Sequence, residues 1–136
     1  LHEGIAMQYE PAPGGDWLGP GSAETPRLDD WFRRPESSHL LLPLIRDDGL
    51  TQGDNPARYA EAWALVHYLT REHPARFVAF LGILRVPRAE VGPDLDRYEA
   101  AFRKAFGPEL DRLQQGWRLH ARQLRQGTRG DLRLPR

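Results

Sequence analysis

Apolar residues recur at intervals of three and four along most of this chain, and no segment alternates convincingly with period two. That pattern predicts an all-α fold, an irregular bundle of about five to six helices. Leu1, Ile5, Ala6 and Tyr9 fit one short amphipathic helix, stopped at PAPGGDW. RLDDWFRR predicts one or two helical turns ending before Pro35, and SSHLLLPLIRDD a second short helix interrupted near Pro43. Asn55 as N-cap with Pro56 in the first helical position opens ARYAEAWALVHYLTRE, whose wide apolar face is Tyr59, Ala62, Trp63, Val66 and Leu69. His73-Pro74 starts the next helix, with Phe77, Phe80, Leu81 and Leu84 at helical spacing. The turn between these two is so short that they should pack antiparallel or at a steep angle. Gly92 and Pro93 open another, carrying Leu95, Tyr98, Phe102 and Phe106, which Gly107 ends. Pro108 begins the last, with Leu110, Leu113, Trp117, Ala121 and Leu124 as its buried line, and GTRGDLRLPR reads as a frayed tail.

Gly, Pro and small residues crowd the stretch from about 11 to 26, which therefore reads as a long surface loop, the kind that is either functional or disordered. The organisation predicted is one helical domain over 1–125, part of a larger unit, followed by a basic tail over 126–136. A length of 136 residues fits one domain, and 40% hydrophobic with 28% charged residues are globular values. No apolar run approaches the roughly 18 residues needed to cross a bilayer. The chain begins at Leu1, inside a helical pattern, and so reads as a truncated or processed product.

Net charge is zero, but its distribution is uneven. Residues 1–30 carry six acids against Arg27 alone, and from Arg112 onward there are seven Arg against Asp131. A solvated helix face and tail is the plain account of that basic end, with nucleic acid or anionic lipid as the sharper one. The Arg are interspersed and no reading motif accompanies them, so no nucleic-acid partner is expected. The absence of Cys excludes disulfides and thiolate ligands and leaves the compartment open.

A catalytic zinc usually takes three protein ligands, and an HExxH helix supplies two His and a general-base Glu. The opening LHEGIAMQYE fails that test, because Ala6 stands where the second His would be. The five His, at 2, 39, 67, 73 and 120, contain no pair three or four apart, so no self-contained zinc site is visible. The other use of a Glu in such a site is as third ligand, donated by a helix packed beside the HExxH helix. Such a helix needs small residues after the Glu so the backbones can approach. Here Gly4 and Ala6 supply the approach, and Ile5, Met7 and Tyr9 the packing.

EGIAMQY resembles the downstream glutamate motif of gluzincin (peptidase MA-like) metallopeptidases, a Trp-Leu-x-Glu-Gly-Leu-Ala segment following the HExxH helix. LLPLIRDD, RYAEAWALVHYL and AFRKAFGPELDRLQQGW follow in the order of that template, so the likeness covers most of residues 1–125. The resemblance implies the C-terminal helical subdomain of a zinc-dependent peptidase, with Glu3 as third zinc ligand. It also places Tyr59 where thermolysin-like aminopeptidases carry a Tyr that donates a hydrogen bond to the oxyanion. Two departures stand out. Glu61 and Ala62 replace the Lys-Gly that follows the Tyr, and both His ligands and the general base would lie upstream of Leu1. The resemblance further implies zinc as cofactor of the full-length protein, a peptide or protein substrate, an extracytoplasmic bacterial location, and no activity for this chain alone.

Each assignment has a structural counterpart. Glu3 reads also as a solvent-facing helix residue, His2 as a bystander, Tyr59 as a core phenol, His67 as a surface residue or one that supports ligands without binding metal, and Trp63 and Trp117 as packing. The rival to the peptidase reading is a non-catalytic helical protein-interaction module. A fragment would differ from such a module by exposing apolar surface around Leu1, Ile5 and Tyr9, with self-association as the consequence.

Overall fold

A computed structural model of the chain describes residues 4–5, 25–46, 56–85 and 97–133, with side chains in the last segment to Gly127. The described residues are all-α: six helices, a 3-10 turn over Glu36–Ser38 and no strand. The helices are α1 (Thr25–Phe32), α2 (Leu41–Arg46), α3 (Pro56–Glu72), α4 (Pro74–Arg85), α5 (Arg97–Phe106) and α6 (Leu110–Arg133). His2, Glu3, Asn55, Leu95 and most of the Gly/Pro-rich stretch of 11–26 lie outside the described residues.

Helix α3 is the axis of the bundle. Every residue from Ala60 to Leu69 is buried, so this helix is surrounded rather than laid on one face. Its alanines at 60, 62 and 64 let neighbours come close, while Trp63, Leu65, Val66 and Leu69 fill the space between them. α1 lies along it, with Leu28 and Trp31 buried one turn apart, and α2, α4 and α6 also touch it. α4 turns off directly after α3, the amide of His73 still bonded to the Leu69 carbonyl and that of Phe77 to the His73 carbonyl. α4 then pairs with α5 through Phe77, Phe80, Phe102 and Phe106, a cluster in which Phe102 and Phe106 stack at 4.4 Å between ring centroids.

Trp31, Trp63 and Trp117 are all at most 1% exposed, which confirms Trp63 and Trp117 as packing residues. Each buried indole removes roughly 200 Å² from water, on the order of 5 kcal/mol of hydrophobic stabilisation as an upper bound. α6 buries Leu113, Trp117 and Ala121, with Leu110 and Leu124 half-buried, along the line its spacing predicts.

Two boundaries differ from the sequence pattern. Pro43 does not interrupt α2, because it is the third residue of the helix, where an amide would have no intrahelical acceptor to lose. The frayed tail predicted over 127–136 begins instead as a continuation of α6, which is helical to Arg133. Gly127 and Gly130 each weaken a helix by only about 1 kcal/mol, and the first residue able to stop it outright is Pro135. Gly107, at φ 84°, closes α5 in the left-handed conformation that glycine adopts without cost.

Candidate functional site

The N-terminal segment meets α3 at Gly4. A Cβ on this residue would stand 2.5 Å from the Ala62 carbonyl oxygen and 2.9 Å from the Ala62 carbonyl carbon, with a Val66 methyl at 2.8 Å. Only a residue without a side chain fits, because the obstacle is backbone. Gly4 does make a close helix approach, but to α3 and not to the HExxH helix for which the sequence pattern invoked it. Gly4 is buried and Ile5 is half-buried against the core, so Ile5 belongs to the packing rather than to a freely exposed patch. Leu1, Glu3, Ala6 and Tyr9 lie outside the described residues.

Tyr59 precedes Ala62 by three positions on α3, which puts both on one strip of the helix surface. It is half-buried and packs against the core. The strip on which Gly4 sits thus continues, one turn toward the N-terminus, into the tyrosine that the sequence singled out.

Beside that strip lies a buried ionisable group that the sequence pattern does not announce. Glu61 is 1% exposed and its Oε2 lies 2.9 Å from Nδ1 of His39, itself fully buried. The other ring nitrogen, Nε2, is 2.9 Å from the Trp31 carbonyl oxygen, which can only accept, so Nε2 carries hydrogen and donates. Nδ1 and the carboxylate share a second hydrogen, since two bare acceptors would repel at this distance. Arg58 approaches Glu61 Oε1 at 3.3 Å. The imidazole stacks on Trp31 at 3.6 Å, and Trp117 meets Trp31 edge-on at 5.0 Å. Two bonds from the Arg118 guanidinium, at 3.1 and 2.8 Å, end on the His39 carbonyl oxygen. His39 thereby connects α1, α3 and α6 through one residue.

A second group sits where α3 ends. His67 Nδ1 and His120 Nε2 are 2.9 Å apart, in rings tilted by 40°. The first is 2% and the second 7% exposed, so His67 is a core residue and not a surface one. Desolvation, then the neighbouring His67 and Arg71, lower the His120 pKa from 6.5 to about 4. Next to it the Tyr68 hydroxyl is hydrogen-bonded to His73 Nε2 at 3.0 Å and lies against α6 at Gly116. Burial chiefly, and the Glu72 carboxylate secondarily, raise the Tyr68 pKa and keep the phenol protonated.

Among the described residues no group of three or more His, Asp or Glu side chains could hold a metal ion. Three Arg of the described part of α6 are occupied within the fold. Arg118 holds His39, Arg122 pairs with Glu36 at 3.2 Å, and Arg125 lies over the Phe32 ring at 4.4 Å. No described helix is long and apolar enough to cross a membrane.

Sequence spacing missed the His pair because its members are 53 positions apart. Only a polar residue inside an apolar stripe, His67 between Val66 and Leu69, signalled it in the sequence. No curated protein and no solved structure matches this chain. The model of one family does match, over residues 1–88, more than half of the chain, and its description is a protein of unknown function (DUF1570). The chain with this Gly4-to-α3 contact belongs to the DUF1570 family.

Proposed function

We propose that this chain is the C-terminal helical portion of a zinc-dependent, gluzincin-like peptidase, in which Glu3 is the third zinc ligand and Tyr59 serves the oxyanion. The observation that carries this reading is the contact of Gly4 with Ala62 and Val66. It ties the segment that begins Glu3-Gly4 to the same strip of α3 that carries Tyr59. A site assembled from a glutamate and a phenol on separate elements requires such a tie.

Zinc, when bound with two further ligands from an upstream HExxH helix, would supply the Lewis acid for peptide hydrolysis. The part played by this chain is narrower. Glu3 contributes one carboxylate ligand. The Tyr59 phenol donates a hydrogen bond to the oxygen on which charge develops as the peptide carbonyl is attacked, an interaction of the kind worth about 10²–10³ in rate. Arg58 and Glu61, on either side of Tyr59 in sequence, engage the His39 pair and fix this turn of α3. Without the upstream helix the chain neither completes the metal site nor cleaves peptides.

The test begins with the coding DNA upstream of Leu1. The proposal expects an in-frame HExxH within about a hundred codons, and a start codon reached without one would overturn it, leaving the non-catalytic helical module. For the extended protein, Glu3→Gln is expected to lose zinc, measured by elemental analysis of the folded variant. Tyr59→Phe should keep zinc and lower kcat with little change in KM. Zinc retained at wild-type stoichiometry in Glu3→Gln would remove Glu3 from the site.

A further inference from the structure

On the outer side of α6, Glu36, Arg112, Gln115, Arg118, Leu119 and Arg122 line an open groove of about 450 Å³. The proposed peptidase chemistry uses none of these residues, and the groove keeps its character whether or not that reading holds. Arg118 is half-buried in it, while Arg112 and Arg122 are exposed. Arg118 Nε and Nη2 donate to the His39 carbonyl oxygen at 3.1 and 2.8 Å, and Nη2 also reaches the Ser37 carbonyl oxygen at 3.5 Å. Both acceptors are neutral. The guanidinium is therefore held in one place without having its charge cancelled, and Nη1 makes no hydrogen bond among the described residues.

The other two cations of the groove are held loosely. Arg112 pairs with Glu109 at 3.2 Å, but the two side chains are 83% and 67% exposed. Arg122 pairs with Glu36, also at 3.2 Å, with both side chains well exposed. Ion pairs this open to water are weak and exchange readily for another carboxylate.

A guanidinium fork suits carboxylates and phosphates alike, so the rest of the groove decides between them. Glu36 and Glu109 stand beside Arg122 and Arg112, where they would repel a continuous run of phosphates but leave room for carboxylates set apart from one another. Leu119, 45% exposed, lies among the cations and offers an apolar contact that suits a peptide better than a phosphate backbone. The spacing agrees. Arg118 is six residues after Arg112 and four before Arg122, about 9 and 6 Å along the helix axis. Alternate side chains of an extended peptide share one face at intervals of about 7 Å. We propose that this groove docks an extended acidic peptide segment of a partner protein, whose alternate carboxylates meet Arg112, Arg118 and Arg122.

Titrating the isotope-labelled 136-residue chain with acetyl-Asp-Ala-Asp-Ala-Asp-amide, followed by nuclear magnetic resonance, tests this. The expected result is saturable shifts of the amides over 112–122 and of the Arg118 Nε–H, at half-saturation roughly tenfold or more below that of acetyl-Asn-Ala-Asn-Ala-Asn-amide. Raising salt from about 50 to about 500 mM should weaken binding several-fold. Arg118→Gln should abolish it, but that change also frees the turn over 37–39. Arg112→Gln, at a side chain 83% exposed, is therefore the decisive variant and should weaken binding about three- to tenfold with the fold unchanged. No saturable shift up to about 10 mM peptide would overturn the proposal, as would equal affinity for the Asn peptide or unchanged affinity in Arg112→Gln. Equally tight binding of inorganic phosphate would reduce the groove to a simple anion site, and tighter binding of a single-stranded oligonucleotide would make it a nucleic-acid surface; either result also overturns it.

Discussion

Replacing Gly116 by Ala puts a methyl group against the Tyr68 hydroxyl, closer than real Cβ atoms approach, and within 3.0 Å of its Cζ. Two effects oppose each other. Alanine in the interior of α6 gains roughly 0.5–1 kcal/mol over glycine from the lower entropy of the unfolded chain. Overpacking a filled site costs about 1–3 kcal/mol, and here the phenol must also give up its bond to His73 to move away. Gly116→Ala is therefore expected to destabilise by about 1–2 kcal/mol net. Tyr68→Phe alone should cost about 0.5–1.5 kcal/mol for the lost hydrogen bond. In the Tyr68→Phe background the hydroxyl is gone, two ring carbons at 3.0 and 3.5 Å remain, and the same Gly116→Ala change should become near neutral. The double-mutant cycle should thus show a coupling of about 1–3 kcal/mol. The assay is urea denaturation followed by far-UV circular dichroism, with the slope unchanged across the four proteins. Gly82→Ala is the control: nothing stands within 4 Å of its would-be Cβ, so it should stabilise by roughly 0.5–1 kcal/mol. Additivity of Gly116→Ala and Tyr68→Phe within about 0.5 kcal/mol would refute the steric account of why glycine occupies position 116.

Glu61→Ala leaves His39 buried with one ring nitrogen deprived of its partner, and should cost about 3–5 kcal/mol in chemical denaturation; a loss below about 1 kcal/mol would show that the pair is not closed to water. Gly4→Ala meets the Ala62 backbone, which cannot yield as a side-chain tip can, so it should undock the N-terminal segment. In hydrogen exchange the amides around position 4 would lose protection while the centre of α3 keeps it, and unchanged protection would contradict the close approach. Hydrogen bonds from Arg103 and Arg46 hold the Glu99 carboxyl below its usual value. The folded state therefore gains stability from Glu99 above about pH 4.5, and loses it as pH falls through the lower folded value. Glu99→Gln should flatten that part of the acid limb; an identical acid limb in the variant would count against this tie between α2 and α5.

Much of the architecture follows from local rules. The sequence pattern placed all six described helices, and Pro56, Pro74 and Gly107 marked boundaries that the chain keeps, because each acts through its own backbone. Pro43 shows the limit of reading breakers one at a time, since its effect depends on where the helix begins. The tail from Gly127 shows another: glycines weaken a helix without ending it, and the sequence pattern overestimated them there.

The candidate site divides in the same way. The small residues after Glu3 signalled a close approach, though to an HExxH helix rather than to α3, and the placing of Tyr59 on an apolar stripe was legible. That the helix approached is α3, at Ala62 and one turn from Tyr59, was not, because sequence carries no record of which helix a glycine faces. The His pair was invisible for a related reason. Its geometry is made by α3 and α6 crossing where residues 67 and 120 happen to meet, and the His39–Glu61 pair likewise joins positions 22 apart. By itself the sequence determined which segments are helical, where their apolar faces run and which residue types are available for chemistry, since these depend on spacing within a turn. Only the tertiary structure decided which titratable groups share a hydrogen and which lose their water, since both depend on how helices distant in sequence pack together.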